Sequence, residues 1–62
     1  MRITLEIEIT GIEGWSVDWS DKEGVGMELD NLEREAEFHL AERLGLLRGN
    51  IHAEATLDRS GN

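Results

Sequence analysis

Two histidines, three serines and fourteen carboxylates are the residues here whose types admit chemistry. Nucleophilic catalysis needs a hydroxyl beside a base that a third group holds in place. Ser16, Ser20 and Ser60 lie in no nucleophile-elbow motif, and neither His39 nor His52 has a serine at a spacing that suggests a triad. Paired carboxylates do glycosidase chemistry only inside a cleft, and a 62-residue chain has little room for one. His52 and Glu54 stand two residues apart, so on a strand they share a face, and Glu6 or Glu8 across from them would make a divalent-metal constellation. Ordinary solvated side chains explain the same residues more simply. His39 has Glu35 and Arg43 at i−4 and i+4, which is the spacing of ordinary helix pairing. The Gly24-Val25-Gly26 stretch lacks the lysine and the length of a phosphate loop. The expectation is a protein that is not an enzyme, with no catalytic residue, cofactor or metal site.

Charge narrows the class further. Fourteen acids against six bases leave a net charge of −8. Direct binding to a nucleic-acid backbone or to an anionic membrane needs the opposite sign. A basic partner, or a metal ion, is favoured instead. The chain has no Cys, so disulfides and thiolate zinc sites are excluded. The N-terminus alternates apolar and charged residues, unlike a secretory leader, and no run approaches the roughly 18 apolar residues of a membrane span. A cytoplasmic protein is the simplest expectation.

The elements that must position these groups follow from periodicity. Residues 2–10 alternate, with Ile3, Leu5, Ile7 and Ile9 on one side and Arg2, Thr4, Glu6, Glu8 and Thr10 on the other. This is the pattern of a half-buried strand. Gly11 and Gly14 punctuate a turn. Trp15, Val17 and Trp19 suggest a second strand, and core packing suits the two tryptophans better than base stacking among Asp18, Asp21 and Glu23. Residues 20–24 have turn composition, and Val25, Met27 and Leu29 suggest a third strand that Gly26 weakens. Asp30 with Glu33 reads as a capping box for a helix from about 31 to 44, stopped by Gly45 with Leu46 closing the cap. Leu32, Ala36, Leu40 and Leu44 form its apolar stripe, with Phe38 and Ala41 on the opposite side. Residues 50–58 alternate again, with Ile51, Ala53, Ala55 and Leu57 inward and His52, Glu54, Thr56 and Asp58 outward. Residues 58–62 read as a frayed tail.

The expected fold is therefore α+β: one domain over 1–62, in β-β-β-α-β order, with one helix packed on one face of a small four-stranded sheet. A right-handed crossover would lay the last strand beside the first, in order 4-1-2-3. The open sheet face would gather Glu6, Glu8, Asp18, Glu28, Glu54 and Asp58. A solvated sheet face is the plain reading of that set. Like charges on neighbouring strands cost stability, however, and structural surfaces more often mix signs.

Two functional expectations follow. The first is a non-catalytic interaction module whose acidic face occupies a basic surface on another protein. Its extreme form is nucleic-acid mimicry, as in the small acidic phage proteins that act against restriction and CRISPR effectors; this is an analogy of class and not of sequence. The second is a small self-associating module whose acids serve solubility. A domain of this size buries only roughly 60% of its unfolded surface. Phe38 with Ala41, a strand edge or the tryptophan pair would then be the contact of a homodimer.

Overall fold

The computed structural model describes residues 1–59. Its one long element is α1, Lys22–Leu44, flanked by 3-10 turns at Ile12–Gly14 and Arg48–Asn50. No residue among those described is in a β-strand, so the expected four-stranded sheet is absent and the α+β assignment is corrected.

The chain enters α1 through a turn built on Asp18. The Ser20 hydroxyl and the Ser20 backbone N–H both donate to Asp18 Oδ1, at 2.6 and 3.1 Å. The Asp21 N–H donates to the Asp18 carbonyl at 3.1 Å. A side chain that satisfies the backbone two residues on is the usual device for such a turn. Asp21 is then extended (φ −88°, ψ 100°) at the N-cap, and Val25 N–H donates to its carbonyl at 2.9 Å. The helix therefore starts nine residues before the expected Asn31, and the expected third strand lies inside it. Asp30 and Glu33, read as a capping box, sit in the helix interior. The second expected strand is replaced by turns: Trp15 N–H donates to the Ile12 carbonyl and Val17 N–H to the Trp15 carbonyl.

The end of α1 falls where glycine demands it. Gly45 adopts φ +69°, ψ 29°, a left-handed conformation that costs other residues roughly 1–2 kcal/mol. Leu46 N–H reaches back to the Ala41 carbonyl at 3.1 Å, the six-to-one bond of a Schellman cap. The second 3-10 turn packs against α1 and reverses the chain, with Asn50 and Ile51 donating to the Leu47 and Arg48 carbonyls.

Residues 51–59 then run back along α1. Ile51, Ala53, Ala55 and Leu57 are half-buried, while His52, Glu54, Thr56 and Asp58 are exposed. Their partner is the helix. Glu37 Oε2 accepts from Ala53 N–H at 3.0 Å, and Glu33 Oε2 accepts from Ala55 N–H at 2.7 Å. The spacing explains the match: four helical residues advance about 6 Å and two extended residues about 6.6 Å. Carboxylates at i and i+4 thus meet amides at i and i+2. Those amides are the ones a neighbouring strand would have used, so this edge is closed by side chains and forms no ladder.

The inward face of α1 carries Val25, Leu29, Leu32, Ala36, Leu40 and Ala41. Only Val25 and Ala41 are buried, at 6% and 7% exposure. Residues 1–10 form no backbone hydrogen bonds to the rest of the described chain, and all ten are exposed. Ile3, Leu5, Ile7 and Ile9 retain 61–88% of their full exposure. The expected first strand thus keeps its alternating sequence but has no strand beside it.

Candidate interaction surface

One group of exposed acids precedes α1. Between Arg2 and Lys22 stand Glu6, Glu8, Glu13, Asp18 and Asp21 with no base among them. All five are exposed. Asp18 alone of these forms side-chain hydrogen bonds among the described residues. The Ser20 hydroxyl, and after it the Ser20 N–H, hold the Asp18 carboxyl below its ordinary value, because both donate to the ionised form.

The six acids expected on one sheet face are distributed differently, since there is no sheet to gather them. Glu6 and Glu8 lie on the open N-terminal segment, and Asp18 is committed to its turn. Glu28 is half-buried on α1. Glu54 lies on the returning segment, with Oε1 4.0 Å from His52 Nε2, and both side chains are exposed. Asp58 is exposed on the same segment. Arg59, expected in a frayed tail, donates a guanidinium hydrogen bond to the Trp19 carbonyl. Ser60, Gly61 and Asn62 lie outside the described residues.

Two acids on α1 hold the structure together: Glu33, expected to close a capping box, and Glu37. Glu33 and Glu37 are half-buried, and Glu37 Oε1 also lies 3.8 Å from an Arg48 guanidinium nitrogen. The available signal was their position: both flank the Leu32, Ala36 and Leu40 stripe at i, i+4 spacing, so neither faces open solvent.

The aromatic residues form two contacts. Trp15 and Trp19 meet edge to face, with centroids 5.8 Å apart and planes at 61°. Trp15 also lines a groove with Glu28, Asn31, Leu32, Arg34 and Glu35. Trp19 Nε1 is buried without a hydrogen-bond partner among the described residues. Phe38 is half exposed and packs its ring edge to face with His39. Ala41, expected beside Phe38 on an outer face, is in the core instead, so an exposed contact there involves Phe38 without it.

Among the described residues no group of three or more His, Cys, Asp or Glu is placed to hold a metal ion, and no helix is long and apolar enough to cross a membrane. Comparison with protein-family models, with curated proteins and with solved structures finds no match to this chain.

Proposed function

We propose that this protein is a non-catalytic acidic interaction module that occupies a basic surface on another protein, such as one that otherwise holds nucleic acid. The observation that carries the reading is the run of five exposed acids over 3–21 with no base among them. A solvated structural surface mixes signs, and an unmixed one attracts its opposite. Part of the −8 charge is structural, since Glu33 and Glu37 bind backbone amides. The acids before α1 have no such duty, apart from Asp18. The test is capture from lysate with a charge-reversed control, Glu6→Lys/Glu8→Lys/Glu13→Lys. A cognate partner is released steeply as salt rises, because exposed charges are screened within about 8–10 Å at physiological ionic strength, and the triple variant does not capture it. Retention that ignores both salt and charge reversal overturns the reading.

A second reading, a self-associating module, is supported by the apolar residues left open. Among the described residues two side chains are buried, while Ile3, Leu5, Ile7, Ile9, Leu46 and Leu47 are exposed. Large apolar side chains left open in this number favour an interaction site.

A further inference from the structure

We propose that residues 1–9 pair antiparallel with the same residues of a second copy of this chain, in a register centred on Leu5. The proposal rests on the self-association reading and supplies its seam.

The segment has what an intermolecular strand needs. Its backbone amides and carbonyls make no backbone hydrogen bonds within the described chain, its four isoleucine and leucine side chains fall on one side, and it has no proline. An unpaired edge with one apolar side is a template for another strand. The edge of 51–57 nearest the helix is not its partner, because Glu33 and Glu37 already hold the amides of Ala55 and Ala53.

Charge selects the occupant and the register. A parallel in-register pair would set Arg2 against Arg2, Glu6 against Glu6 and Glu8 against Glu8, all like charges. An antiparallel pair places residues of equal parity opposite each other, so that both apolar sides coincide. Centring it on Glu6 puts the two Glu6 carboxylates face to face. Centring it on Thr4 pairs Arg2 with Glu6 but leaves Glu8 and Ile9 facing no residue of this segment. Centring it on Leu5 sets Arg2 opposite Glu8 twice, Ile3 opposite Ile7 twice, Met1 opposite Ile9 twice, and Leu5 opposite Leu5 on the two-fold axis. Every charged residue except Glu6 then has an opposite charge facing it, and Glu6 faces Thr4. A two-fold, self-complementary contact of this kind closes on a dimer.

The test is sedimentation of the full chain from micromolar to millimolar concentration, with charge swaps. Wild type is expected to sediment as a dimer. Arg2→Glu and Glu8→Arg each replace two attractive cross-strand pairs with two repulsive ones, weakening the dimer about tenfold. The double swap restores the opposite charges and with them the wild-type affinity. The chain has no Cys, so a single introduced thiol reports the register: Leu5→Cys cross-links the dimer on oxidation, whereas Ile9→Cys, facing Met1, does so far more slowly. A dimer indifferent to the single swaps, or not restored by the double, overturns this register while self-association stands. A monomer at every concentration overturns both. The acidic reading has its own test in the basic partner and is decided separately.

Discussion

Replacing Gly26 separates the observed helix from the strand that its sequence suggests. Gly26 is exposed within α1, and a Cβ built there meets nothing within 4 Å beyond its chain neighbours and the local helix backbone. Packing therefore contributes nothing, and the substitution reads the backbone alone. In a helix interior glycine is about 0.8–1.0 kcal/mol less favourable than alanine, while valine lies within roughly 0.7 kcal/mol below alanine. Much of the difference comes from the unfolded chain, where glycine has more conformations to lose. Gly26→Ala should stabilise by about 0.8–1 kcal/mol and Gly26→Val by about half as much. In a domain of this size 1 kcal/mol moves Tm by about 4–8 °C. Thermal unfolding followed by circular dichroism, at one fixed protein concentration, measures both variants. On an exposed strand position the order inverts, because β-branched residues are favoured there. Valine equal to or better than alanine refutes helix at this position. Gly24→Ala should give a smaller gain, since its Cβ would approach Asp21 Oδ2 to 2.8 Å and that flexible carboxylate must swing aside.

The clamp between α1 and the returning segment predicts that Glu33→Ala destabilises by about 1–2 kcal/mol, as a charged acceptor is lost and a part-buried amide left unpaired; amide exchange at Ala55 accelerates with it, and unchanged exchange contradicts the clamp. Glu33→Gln keeps an acceptor and costs less. Asp18 titrates below 3.8 in the folded chain because Ser20 donates to its ionised form. The stabilisation is present above the unfolded value and is lost as pH falls through the lower folded value; Ser20→Ala, which removes the hydroxyl and keeps the N–H, moves the Asp18 midpoint part of the way back up in an NMR titration.

Some of this architecture is legible in the residues and some is not. Gly45 followed by Leu46 marks the end of α1 because a left-handed residue and its cap leave a local signature. The alternation of 51–57 correctly separates half-buried from exposed side chains. Alternation reports which side of a segment is covered and is silent on what covers it. Here the cover is a helix, whose carboxylates reach the amides at the matching spacing. The start of α1 is obscured by two competing signals. Gly24 and Gly26 break the helical pattern, and Asp30 with Glu33 imitates a helix beginning that lies in its middle. The true N-cap, Asp21, makes no side-chain capping bond, so its role rests on the preceding Asp18 turn. The acidic surface was legible as a total but misplaced, because its expected location depended on a sheet. Without one, Glu6, Glu8, Glu13 and Asp21 lie exposed before the helix, Asp18 is committed to its turn, and Glu33 and Glu37 become structural.

The central claim is that the folded chain leaves residues 3–9 open until a second surface covers them. Amide hydrogen exchange of the full chain, followed by NMR across a dilution series, tests it most directly. The account predicts that the interior of α1 is protected at every concentration, and that amides over 3–9 exchange freely in dilute solution and gain protection as the chain is concentrated. Protection over 3–9 that persists unchanged at the lowest concentration would mean that these residues pair within one chain, and would contradict it.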